Sequence, residues 1–182
     1  MEKSNYLYYE PESLENKFII ADVIGCQGDF HNHHLVIDKG KKYGLEMNYP
    51  VLTKGGIVGK IVNISNNYSI ILPFDNPHFK LAVMTFNTKL QGLLETDLAG
   101  NSFMTLLLAG SEISLGDSIV TSNLSTIFPA EHFVGIVSKI QEAGDDVHMK
   151  VKLKSSIIPE SLNKVAVLFY KKDLNYETEI NN

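Results

Sequence analysis

Ile57-Val58-Gly59-Lys60-Ile61-Val62-Asn63-Ile64 reads as a β-strand with one glycine set into it. Phe133-Val134-Gly135-Ile136-Val137-Ser138-Lys139-Ile140 repeats that reading about 76 positions later. Both runs are β-branched and apolar around a single Val-Gly step. Glycine weakens a strand interior, so it marks a bend, a bulge or a backbone passing close by. A sharply bent strand is what closing a small barrel requires. The repeat predicts two similar β-domains, each with a structural strand bend, at Gly59 and Gly135.

The flanking chain agrees. Short apolar runs separated by turn residues extend from Lys17 to Tyr170, with no helical periodicity over ten or more residues. Strands are expected at 17–24, 33–38, 49–53, 57–64, 68–73, 79–84, 89–95, 102–108, 117–121, 133–140, 146–154 and 164–170. The gaps carry Asp38-Lys39-Gly40, Asn66-Asn67, Asp75-Asn76-Pro77, Ala99-Gly100-Asn101 and Gly144-Asp145-Asp146, which suit turns. The predicted fold is all-β: two small six-stranded barrels of chymotrypsin-like topology with little helix. Residues 1–16 read as a linker or remnant of a helical region, 17–95 as the first barrel, 96–170 as the second and 171–182 as a disordered tail. Glu95-Thr96-Asp97 and Gly100-Asn101 set the boundary, with strand exchange between the barrels allowed.

Composition narrows the function classes. The 182 residues are 44% hydrophobic with a formal net charge of -5, the profile of a folded globular protein with no nucleic-acid partner. Lys150, Lys152 and Lys154 alternate with Val147, Met149, Val151 and Leu153, so they read as the wet face of a half-buried strand. No apolar run approaches the roughly 18 residues of a membrane span, and no signal peptide is expected. Cys26 is the single cysteine, which rules out a disulfide within the chain.

Gly116-Asp117-Ser118 echoes serine peptidases built on two barrels, and His34, Asp75 and Ser118 supply the order His, Asp, Ser. A degenerate or active chymotrypsin-like serine hydrolase is therefore the alternative reading. Ile119-Val120-Thr121 argues against it: a strand consumes the backbone N–H groups that an oxyanion hole needs. In His31-Asn32-His33-His34, adjacent histidines point to opposite faces of a strand. His31 and His33 can share a face, but no acidic or cysteine ligand stands at useful spacing nearby, so the segment reads as a hairpin end. Asp29 and Asp38 read as loop carboxylates. Gly55-Gly56-Ile57-Val58-Gly59 enters a strand rather than a helix N-terminus and does not cradle phosphate. No catalytic, cofactor-binding or metal-ligating residue is expected, and no small-molecule substrate.

Two series of residues carry a family resemblance. Val23-Ile24-Gly25, Ile37-Asp38-Lys39-Gly40 with Gly44-Leu45, and Gly56-Ile57-Val58-Gly59-Lys60-Ile61-Val62 resemble the first half of the MreC rod shape-determining family. Gly116-Asp117-Ser118-Ile119-Val120-Thr121-Ser122, Ile127-Phe128-Pro129 and Val134-Gly135-Ile136-Val137 resemble its second half. The family-motif residues are thus Gly40, Gly44, Gly56, Gly116, Asp117, Thr121, Ser122, Phe128 and Pro129. Asn48 and Asn123 stand where the family usually has glycine, and Ala130-Glu131 replaces a glycine turn. Asparagine tolerates left-handed backbone, so its turns are expected to persist.

The resemblance implies a non-catalytic scaffold of the bacterial cell-elongation machinery, with two β-barrels on the extracytoplasmic (periplasmic) side of the cytoplasmic membrane. It implies binding to a class B penicillin-binding protein transpeptidase, work with MreB, MreD and RodA, and self-association as a dimer or filament. It also implies an N-terminal transmembrane helix and coiled coil that this chain lacks, as expected of an extracytoplasmic fragment. The candidate partner contacts are the turn-flanking aromatics and their neighbours: Tyr49, Phe74, His78, Phe79, Phe128 and Phe133.

Overall fold

The computed structural model describes residues 17–29, 32–142 and 147–172. The expected N-terminal remnant (1–16), His31, the Gly144-Asp145-Asp146 turn and tail residues 173–182 lie outside the described residues.

Twelve strands form: β1 (Phe18–Gln27), β2 (His34–Ile37), β3 (Pro50–Thr53), β4 (Gly56–Ile64), β5 (Ser69–Pro73), β6 (Leu81–Thr85), β7 (Gln91–Thr96), β8 (Ser102–Leu108), β9 (Ser118–Thr121), β10 (Phe133–Glu142), β11 (His148–Lys154) and β12 (Lys164–Leu168). Each falls on an expected run. Among the described residues helix is confined to two 3-10 turns, Lys41–Tyr43 and Pro159–Ser161. The strands close into two antiparallel barrels, β1-β12-β3-β4-β5-β2 and β10-β11-β8-β7-β6-β9. Alternation does the sorting: along β11, Met149, Val151 and Leu153 are buried while Lys150 and Lys152 face outward and Lys154 is exposed. Val147 does not follow its expected inward phase, because it precedes the strand and stands exposed.

The glycines sit at register shifts. Between β3 and β4, Val51 pairs with Gly59 and Leu52 with Ile57, leaving Val58 as the extra residue of a bulge. Between β9 and β10, Val120 pairs with Phe133 and Ile119 with Gly135, leaving Val134 extra. A bulge bends its strand and increases the twist. Neither glycine has the positive φ that would itself require glycine. What they supply is space: a Cβ on Gly59 would stand 2.1 Å from the Leu72 carbonyl oxygen.

Strand membership corrects the expected boundary at 95/96. β6 and β7 belong to the second barrel, and β12 returns to close the first. The second barrel is thus an insertion between β5 and β12. Glu95-Thr96-Asp97 and Gly100-Asn101 turn β7 into β8 within one barrel, with Asp97 Oδ1 accepting the N–H groups of Ala99 and Asn101. The crossings between barrels are residues 74–80 outward and 155–163 on the return. One apolar core runs through both barrels, from Ala21, Leu35 and Ile61 to Leu94, Met104 and Val151.

Candidate functional site

Two regions emerge: the joint between the barrels and the outer face of the second one. At the joint, the β3–β4 hairpin abuts the second barrel. Gly56 has φ 130, and a Cβ there would stand 2.2 Å from the Phe133 carbonyl oxygen, so only glycine admits this approach. Gly55 faces Ile157 on the return crossing. On the outward crossing, Phe74 N–H donates to Val58 O and Thr96 Oγ1 donates to Phe74 O, binding one residue to both barrels. Asn76, fully buried, donates from Nδ2 to His33 O at 2.9 Å and accepts the His78 N–H at Oδ1. A cleft of about 250 Å³ opens beside it, lined by Phe74, Asp75, Val134, Lys154 and Ile157 among others.

The constellation of the alternative hydrolase reading does not pair as its order suggests. Asp75 Oδ1 stands 3.1 Å from His33 Nε2, so His33 rather than His34 faces the carboxylate. Ser118 lies on β9 opposite Ile136, and its carbonyl accepts the Phe86 N–H. Gly116 N–H donates to Val137 O, and Asp117 Oδ2 accepts the Ser114 N–H, so this motif builds a turn. Burial pushes the Asp75 carboxyl above its ordinary range, the His33 charge opposing it. Burial, and then the charges of Glu160 and Asp75, push the exposed Cys26 thiol up as well. Sequence spacing gave no hint of Glu160, which arrives here only because the chain returns to close the first barrel.

Four of the six expected partner contacts are corrected. Tyr49, Phe74, Phe79 and Phe128 are buried. Tyr49 meets Phe169 edge-on at 5.6 Å, and Phe79 meets Phe128 edge-on at 6.4 Å. These aromatics beside turns belong to the buried core, where large rings bury the most apolar area. Phe133 is half-buried at the joint and His78 is exposed.

The other family-motif residues build corners. Thr121 Oγ1 donates to Pro129 O at 2.6 Å and accepts the His132 N–H, while Ser122 Oγ accepts the Leu124 N–H. Gly40 passes so close to Ser65 O that a Cβ would stand 2.3 Å away, and Gly44 has φ 77. Of the two asparagines, Asn48 is left-handed (φ 65) and Asn123 is not. Glu131 adopts φ 69, keeping the left-handed turn without glycine.

The outer face of β8 presents what the sequence reasoning missed. Leu106 is 72% exposed and Leu108 62%, beside Val147 at 55%. Val147 O accepts the Ala109 N–H, which ties Val147 to the end of β8. Leu106 also has φ 61, because Thr105 and Leu106 together oppose Lys150 in a bulge. Left-handed backbone costs a non-glycine residue about 1–2 kcal/mol, and such strain concentrates at functional positions. Leu106-Leu107-Leu108 was the available signal, since three consecutive leucines cannot all face inward on a strand.

Among the described residues no helix is long and apolar enough to cross a membrane. Comparison with known proteins is consistent throughout. The family described as "Rod shape-determining protein MreC, barrel core" matches residues 23–169. The cell shape-determining protein MreC of Haemophilus influenzae is 24% identical over 151 residues, 82% of this chain and 43% of that protein. The chain thus spans less than half the length of that relative. The crystal structure of MreC from Pseudomonas aeruginosa shares 20% identity, covering 84% of this chain and 99% of that one, with a TM-score of 0.75. A solved complex between the penicillin-binding protein PBP2 and MreC from Helicobacter pylori contains a chain with 18% identity and a TM-score of 0.70, covering 86% of this chain and 100% of that one.

Proposed function

The chain belongs to the MreC family of rod shape-determining proteins, and from that premise we propose that it is a non-catalytic scaffold which docks and regulates a class B penicillin-binding transpeptidase on the extracytoplasmic face of the bacterial membrane. The observation that carries this reading is the fold shared with the chain found in complex with PBP2. In the full-length protein an N-terminal helix anchors the barrels, MreD, MreB and RodA are the further partners, and copies self-associate. The absence of catalysis is part of the proposal. It is supported by the position of Asp75 beside His33 rather than His34 and by the Ser114–Asp117 turn that leads Ser118 into strand β9.

The docking surface we assign is the apolar patch of Leu106, Leu108 and Val147, with His78 and Phe133 as secondary contacts at the joint. An exposed leucine held in strained backbone has no stabilising role in the barrel, so a partner that covers it accounts for both features. Regulation requires that the scaffold bind one state of the transpeptidase better than another. The test is titration of the purified transpeptidase with Leu106→Asp and Leu108→Asp variants. Binding at least about tenfold weaker is expected at unchanged melting temperature, since such anchors carry ≥ 2 kcal/mol at hot spots. Wild-type affinity in both variants would remove the patch. Failure of the unaltered chain to bind would remove the scaffold reading.

A further inference from the structure

Three side chains from three separate segments converge at the joint. His33 precedes β2 of the first barrel, Asp75 lies on the outward crossing, and Glu160 lies in the 3-10 turn of the return crossing. One imidazole nitrogen and one carboxylate oxygen from each acid all lie within 4.8 Å of one another. The His33 side chain is only 9% exposed, and Nε2 stands 3.1 Å from Asp75 Oδ1. That distance suits an ion pair, yet both atoms are buried and neither is aligned in a hydrogen bond among the described residues. A simple His–Asp pair would satisfy itself by turning the N–H onto the oxygen. Two carboxylates brought this close repel, and a cation held between them relieves that repulsion.

We propose that His33 Nε2, Asp75 Oδ1 and the Glu160 carboxylate hold a divalent transition-metal ion that clips the two barrels together. An imidazole with two carboxylates is a donor set that Zn²⁺ and its neighbours accept, with remaining positions left to water. The supporting shell is already built. Asn76 donates to the His33 carbonyl at 2.9 Å and to Asn32 Oδ1 at 3.2 Å, so the backbone carrying His33 is tied to the crossing that carries Asp75. Glu160, on the exposed side, completes the set and provides the path of entry. Because the ligands come from one barrel and from both crossings, the ion sets how firmly the second barrel is held to the first.

The chain, stripped with a chelator, is titrated with Zn²⁺ by calorimetry and melted with and without the metal, beside Asp75→Asn and Glu160→Gln variants. The wild type is expected to bind one Zn²⁺ and to melt higher with it, since binding only the native state stabilises it. Both variants are expected to bind at least about tenfold more weakly, the loss that even outer-shell partners cause. Glu160→Gln alters an exposed side chain and relieves its repulsion from Asp75, so it is expected to melt no lower than the wild type in chelator and to lose the metal-dependent gain. No binding by the wild type overturns the proposal. Equal affinity in wild type and Glu160→Gln overturns it too, because the metal would then sit on exposed histidines such as His78 and His148.

Discussion

The two barrels share one ring. The order β6-β7-β8-β11-β10-β9 in the second becomes β12-β1-β2-β5-β4-β3 in the first, with the last strand standing where the second barrel has its first. In that correspondence β4 matches β10, so Gly59 and Gly135 are equivalent, and each follows a bulged valine. The surroundings differ. A Cβ on Gly59 would stand 2.1 Å from Leu72 O and 2.8 Å from Pro73 Cα, whereas on Gly135 the nearest atom, Lys154 O, is 3.0 Å away. In the first barrel β5 runs past the glycine, with Pro73 paired to it. In the second the pairing with β11 begins one residue later, at Ile136 and Lys154. One local device therefore serves two different crowding problems, and the neighbouring strand decides how strictly glycine is needed.

The contrast breaks first at Gly59. Gly59→Ala is expected to destabilise by about 2–4 kcal/mol, the range for strain at a site that cannot relax. Gly135→Ala, which needs its neighbour to yield by only a few tenths of an ångström, is expected to cost about 1 kcal/mol. Urea unfolding of both variants checks this, and equal losses would mean that β5 yields as easily as β11.

A smaller effect separates the left-handed corners. Asn48 before β3 tolerates its conformation, but Glu131 before β10 does not. Glu131→Gly is expected to raise the unfolding free energy by about 0.5 kcal/mol, because its exposed ion pair with Lys89 contributes little. Asn48→Gly is expected to leave it within about 0.5 kcal/mol. A loss of stability in Glu131→Gly would show that the pair with Lys89 outweighs the strain.

The smallest effect concerns acid. Burial holds the His132 pKa below its ordinary value of 6.5. The unfolded chain then binds the proton more readily than the folded one, so this contribution is present above that value and declines as pH falls through it. Between about pH 7.5 and pH 5.5 the wild type is expected to lose more stability than His132→Gln. Equal losses in thermal unfolding would remove His132 as a source of acid sensitivity.

Strands were legible because alternation and turn residues are local signals. Met149, Val151 and Leu153 reveal an inward face without reference to any other segment. Which strands share a barrel was not legible, because pairing partners depend on the whole chain. Asp97 and Gly100 look like a linker and are a hairpin, while the true crossing at Asp75-Asn76-Pro77 looks like one turn among several. The aromatics misled for a related reason: Phe79 and Phe128 flank turns, and only the folded chain shows that their rings meet edge-on in the core. The cluster of His33, Asp75 and Glu160 was not legible: the sequence offers His33 no acidic ligand at useful spacing, and Asp75 and Glu160 meet it only because the two crossings run past the first barrel.

Because β12 lies antiparallel beside β1, with Phe18 opposite Leu168 and Phe169 N–H bonded to Lys17 O, the chain enters and leaves the first barrel at one point. Tension applied through those two positions would peel the seam open bond by bond like a zipper. The inserted barrel would hang outside the line of force, shielded from the pull until its neighbour had opened.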